Sequence, residues 1–132
     1  MATQPSSSKF RSLLFLTLLL AAGAAGAQVK RTQVYKADVA EPGREAVVVK
    51  SELDPNTHAG RHYHPGDEIS YVTEGEAELL VDGEAPRRLK AGDAFVVKTG
   101  KVHDLRDVGS TPLRLLSVYV VEKGKPLATP VK

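Results

Sequence analysis

Beyond its first 27 residues the chain carries its apolar positions in short runs, not in helical stripes. The runs are rich in Val, Ile, Leu, Tyr and Thr, and glycines at 66, 75, 83, 92, 100 and 109 punctuate them every eight or nine residues. Several of these glycines sit in turn dipeptides, Pro65-Gly66 and Asp82-Gly83 among them. No apolar period of about 3.6 residues is sustained there, which argues against helices. Short strands broken by turn signals about every 8–12 residues belong to antiparallel sandwiches and barrels. The pattern predicts an all-β fold, a small antiparallel β-barrel or jelly roll. Candidate strands are 33–39, 46–53, 60–64, 68–74, 77–82, 86–89, 94–98, 102–107 and 113–121.

Two segments stand out against this regularity. In the last strand Leu113, Leu115 and Val121 share one face while Leu116, Val118 and Val120 share the other. Apolar residues on both faces fit a strand buried on both sides or lying between protomers, and a homodimer is expected. The tail 124–132, with Pro126 and Pro130, reads as a loose arm or a segment that clasps a partner.

Residues 1–27 have a different character. Lys9 and Arg11 precede the run Leu13-Leu14-Phe15-Leu16-Thr17-Leu18-Leu19-Leu20, and Ala25-Gly26-Ala27 closes the segment with small residues. This is the layout of a secretory signal peptide cleaved after Ala27. The apolar stretch falls short of the ~20 residues that span a bilayer, so no stable membrane anchor is expected after cleavage. The organisation is thus a signal peptide, 1–27, and a single β-barrel domain, 28–132. An exported chain without cysteine points to a bacterial periplasm or an extracellular location.

Composition narrows the chemistry. A hydrophobic share of 42% and a charged share of 26% exclude disorder and fibrous repeats. The absence of cysteine excludes disulfides, zinc–thiolate sites and thiol nucleophiles. The net charge of +2 comes from the two basic residues of the leader, so the domain itself is balanced and no nucleic-acid partner is expected. The sequence holds no nucleophile elbow, phosphate loop or dinucleotide fingerprint.

What remains is a group of histidines. His62 and His64 alternate along one strand, so both imidazoles project from the same face and can converge on one ion. Pro65-Gly66-Asp67 turns the chain, and Glu68 opens the next strand as a candidate carboxylate ligand. His103 follows Gly100-Lys101-Val102 further on. His58 lies outside this pattern and reads as a solvated loop histidine. Tyr63, Tyr71, Phe95 and Tyr119 could line a pocket but read mainly as core, and Arg61 and Arg106 would have to face inward to anchor a substrate. Asp104 neighbours His103 but points to the other strand face, which excludes a Ser-His-Asp arrangement.

His62-x-His64-x3-Glu68-x6-Gly75 resembles the first motif of the cupin superfamily, and Gly92-x5-Lys98-x-Gly100-x2-His103-x3-Asp107 resembles the second. Three positions depart from the pattern: Asn56 and Lys98 replace a glycine and a proline, and Asp107 replaces an asparagine. None is a ligand position. The resemblance implies one divalent transition metal ion held by His62, His64, Glu68 and His103. Three imidazoles and a carboxylate suit Mn, Fe, Co, Ni, Cu or Zn without choosing among them. An octahedral ion would keep two positions for water, dioxygen or a bidentate substrate. The function expected on this basis is a metal-dependent, dioxygenase-like oxidoreductase acting on a small organic molecule. A non-catalytic small-molecule or metal-binding module and a metal-assisted isomerase or lyase are the alternatives.

Overall fold

A computed structural model of the protein describes residues 26–132; the expected leader, apart from its last two residues, lies outside the described residues. Ten strands and no helix are formed there: β1 (Val29–Asp38), β2 (Arg44–Leu53), β3 (His62–Tyr63), β4 (Gly66–Glu74), β5 (Glu76–Val81), β6 (Arg87–Lys90), β7 (Ala94–Val97), β8 (His103–Asp107), β9 (Leu113–Glu122) and β10 (Thr129–Pro130). They make two five-stranded sheets, β1-β2-β9-β4-β7 and β10-β3-β8-β5-β6. Every pairing is antiparallel. The expected all-β jelly roll is the fold this chain adopts.

Alternation along the strands builds the interior. In β9 Leu113, Leu115, Ser117, Tyr119 and Val121 are buried while the residues between them face outward. Leu53, Val72, Leu79, Leu113 and Leu115 belong to one apolar cluster. Val47, Val49, Tyr119 and Val121 form a second, with Leu127 packed against it. The single chain thus buries only one face of β9, and Leu116 on the other remains exposed. The tail is no loose arm: Thr129 and Pro130 pair with Tyr63 and His62 on β3. Strand β1 starts four residues before the predicted 33. Its outer positions are so polar that no alternation marks them.

The three departures from the motif pattern find physical compensation. Asn56 has φ +62°, a left-handed conformation that asparagine tolerates better than other residues with a side chain. Lys98 Nζ meets Asp67 Oδ2 at 3.1 Å, tying the end of β7 to β4. Asp107 is buried and accepts hydrogen bonds from the backbone N–H groups of Gly109 and Leu113, each at 2.8 Å.

The outer face of the larger sheet carries an apolar row. Tyr35, Val48, Val118, Ile69 and Val96 stand side by side across all five strands, and Tyr71 lies opposite Leu116 in the next row. Tyr63 and Tyr71, expected in the core, lie at the surface, whereas Phe95 and Tyr119 are buried. An exposed apolar stripe of this kind is where the expected homodimer would close. Light scattering at tens of micromolar should then show a dimer that Ile69→Lys shifts toward monomer. A monomer mass for the unaltered protein would overturn the expectation.

Gly66 sets the spacing of β4 against β9. A Cβ there would lie 1.9 Å from the Val120 carbonyl oxygen and 2.6 Å from Val121 Cα, both backbone atoms. Gly66→Ala is therefore expected to cost about 2 kcal/mol or more. Gly83→Ala, whose Cβ would meet open space at φ +83°, should cost about 1 kcal/mol. Denaturant unfolding of the two variants checks the ranking.

Candidate metal centre

Four side chains from both sheets meet at one point. His62 on β3 stands directly opposite His103 on β8. His64 follows β3 by one residue, and Glu68 reaches across from β4 in the other sheet. One ligand atom from each of His62, His64, Glu68 and His103 lies within 4.8 Å of every other, a set that could hold a metal ion. The ring centroids are 4.4–5.1 Å apart, and His64, Glu68 and His103 are at most 5% exposed.

The backbone dictates which ring nitrogen is free. His62 Nδ1 donates to the Gly60 carbonyl at 2.6 Å, His64 Nδ1 to the Leu127 carbonyl at 2.6 Å, and His103 Nδ1 to the Lys101 carbonyl at 3.0 Å. A carbonyl only accepts, so each Nδ1 carries a hydrogen. In the neutral rings every Nε2 then offers a lone pair. Outer carbonyls of this sort fix tautomer and ring orientation in metal sites.

Glu68 is held as firmly. The Ser70 hydroxyl donates to Oε1 at 2.7 Å, and because its hydrogen is used there, Ser117 donates to Ser70 at 2.6 Å. Oε2 faces the imidazoles, 3.0 Å from His64 Nε2 and 3.1 Å from His103 Nε2. Burial pushes the Glu68 carboxyl up, but His103, His64 and Ser70 together outweigh it and hold the group far below the usual carboxylate range. Burial lowers the His103 pKa, but Glu68, the Lys101 carbonyl and Asp104 together outweigh it, so the pKa rises. For His62, burial prevails and the pKa falls, with the neighbouring imidazoles adding to it. The Tyr119 hydroxyl, whose ring lies 4.7 Å from that of His64, is pushed up by burial and the Glu68 charge, against pulls from Ser117 and Arg31.

This donor set fits a cation. With its ring neutral and Nδ1 protonated, His64 Nε2 is buried without a hydrogen-bond partner, its lone pair 3.0 Å from Glu68 Oε2. A carboxylate oxygen and converging Nε2 lone pairs call for positive charge between them, which a proton or a metal ion can supply.

Other sequence-marked residues fall outside. His58 is a largely exposed histidine 3.1 Å from Asp104, which faces away from the ligands and also accepts from Gly60 N–H at 2.8 Å. Arg106 points outward toward Glu78. Beside the cluster lies a cavity of about 270 Å³, walled by apolar residues including Leu53, Phe95, Leu105 and Leu115, with Leu127 and Pro130 of the tail closing one side. The sequence reading missed Ser70, Ser117 and the Leu127 carbonyl. Only the first had a signal, its place two residues from Glu68 on the same strand face.

Residues 49–119 match the family model of the cupin domain. Dimethylsulfoniopropionate lyase DddQ of Ruegeria pomeroyi is 44% identical over 45 residues, 34% of this chain and 22% of that protein. The HTH-type transcriptional regulator PuuR of Escherichia coli is 30% identical over 79 residues, 59% of this chain and 42% of that protein. The chain therefore spans well under half the length of these curated relatives. A Klebsiella pneumoniae protein with a double-stranded β-helix domain shares the fold at TM-score 0.64 and 27% identity, over 80% of this chain and 88% of that one.

The carbonyl of Leu127 gives the tail a measurable role. Deleting residues 126–132 is expected to weaken metal binding about 10–100-fold, read by metal titration with circular dichroism confirming the sheets. Removing His103 as well as His62 should add little to the loss from either alone. His58→Ala should bind as the unaltered protein does; a loss equal to that of His103→Ala would overturn the ligand assignment.

Proposed function

The chain belongs to the cupin family, and from that premise we propose that it binds one divalent transition metal ion through His62, His64, Glu68 and His103 and transforms a small organic molecule in the adjoining cavity. The buried, partnerless Nε2 of His64 beside the Glu68 carboxylate is the observation that carries this reading. A divalent ion held there supplies Lewis acidity and, if redox-active, one-electron chemistry. The chain's own residues do the rest. Three backbone carbonyls hold the neutral rings in the Nδ1–H tautomer with Nε2 aimed inward, and Ser117 and Ser70 orient Glu68. The apolar wall excludes water and holds the apolar part of a substrate.

A dioxygenase-like oxidoreductase is the activity we infer from four protein ligands with room for further ligation. A lyase is the second reading, favoured by the 44% identity to the part of DddQ that aligns, a protein whose name is that of a lyase. Oxygen uptake separates them: substrate-dependent consumption abolished by chelation supports the first, and chelator-sensitive turnover without oxygen the second. Purified protein is expected to contain about one metal per chain, lost in His103→Ala. Sub-stoichiometric metal after loading with each of Mn, Fe, Co, Ni, Cu and Zn would overturn the proposal.

We also propose that residues 1–27 are removed during export. The backbone N–H of Gln28 donates to Asp54 Oδ2 at 2.9 Å. Cleavage after Ala27 would turn that group into an ammonium beside a carboxylate. Intact mass of exported protein should begin at Gln28; a different start, or retention in the membrane fraction, overturns the cleavage site.

A further inference from the structure

The wall of the cavity holds a charge that the ligand cluster does not use. Apart from the histidines, its charged side chains are Glu68, Arg31 and Arg61. Glu68 is committed to the imidazoles and Ser70. Arg61 is committed outward, with Nη2 2.5 Å from Asp82 Oδ2 and Nη1 3.5 Å from the Lys132 carbonyl. Arg31 is exposed and forms no ion pair among the described residues, as is also true of Lys30, Lys50, Arg87, Lys90, Lys101 and Lys132; what sets it apart from them is its place on the cavity wall.

The strand pattern explains how a cation comes to stand there. Val29 and Arg31 alternate on β1, and Val29 packs against the core, so Arg31 is the next position on the same face, at the solvent-exposed mouth of the cavity. It lies opposite Ser51, which in turn lies opposite Leu115, and all three line the cavity. A guanidinium is a planar fork that binds a carboxylate through two parallel hydrogen bonds. No acid other than Glu68 stands on the wall to repel an anion. The volume of about 270 Å³ is at or below the small end of ligand pockets.

We propose that Arg31 anchors the carboxylate of a small monocarboxylate with an apolar body, whose other end lies at His62, His64, Glu68 and His103. The assignment of a reactive centre to that cluster comes from the proposed function; the anchoring role of Arg31 is tested separately. The competing explanation is that a charge on an edge strand blocks edge-to-edge pairing.

Isothermal titration of the zinc-loaded and metal-free protein compares straight-chain carboxylates of about two to eight carbons, and benzoate, each with its neutral amide. At least one carboxylate is expected to bind ~10-fold or more tightly than its amide. Arg31→Gln should erase that preference, Arg31→Lys should keep part of it, and Arg61→Gln should leave it unchanged. A preference that survives Arg31→Gln, the absence of binding by any carboxylate, or an effect of Arg31→Gln on self-association alone would each overturn the proposal. Zinc titration of Arg31→Gln should match the unaltered protein. Should the unaltered protein take up no metal, the metal-centre reading fails, and the preference measured without metal still decides the role of Arg31.

Discussion

An ionised carboxylate buried between two sheets is the constraint around which this molecule is arranged. Glu68 is 5% exposed, and an unpaired charge at that depth is costly by several kcal/mol. Its Oε1 is satisfied by Ser70, but Oε2 faces imidazole nitrogens whose rings already donate through Nδ1. Protonation of His103 can supply one hydrogen bond, and its raised pKa reflects that pull. His64 Nε2 remains without a partner. A metal ion seated among the four groups would relieve both demands at once, as would a proton on His64.

Much of the local architecture can be traced to that demand. Glu68 reaches from one sheet toward histidines on the other, two residues after Gly66, where β4 lies so close against β9 that a side chain would strike the Val120 carbonyl. The register that pairs Ser70 with Ser117 puts a donor chain directly behind the carboxylate. The tail pairs with β3 and brings the Leu127 carbonyl to His64. Arg31 takes no part in this network: it is exposed on the edge strand and lines the cavity without an ion-pair partner.

The strands were legible because turns recur with regular spacing and the inner faces alternate, and their observed bounds differ from the expected ones mainly at polar edges such as the start of β1. The ligand set was legible because His62, His64, Glu68 and His103 carry their chemistry in residue type and spacing. What orients them was not, because a backbone carbonyl such as that of Leu127 has no signature in sequence. The place of Arg31 on the cavity wall was equally hidden: β1 shows no apolar alternation, and a register shift between Gln33 and Tyr35 reverses the parity along it. Tyr71 shows the limit of reading aromatics as core, since strand parity sends it outward.

The way the centre is shared between sheets also orders events in time. Its contacts join residues far apart in the chain, 35 between Glu68 and His103 and 63 between His64 and Leu127. Loops of that length must close before the contacts reward them, so the centre is complete only late in folding. Yet His62, His64 and Glu68 lie within seven consecutive residues and would offer a loose chelate in the unfolded chain if the protein binds a metal as proposed. An ion captured by that chelate stabilises the unfolded state as well as the native one, and so offsets part of the gain it brings to the finished fold. On the proposed metal binding, excess metal would offset refolding, and a chain that met the ion after both sheets had closed would escape that cost.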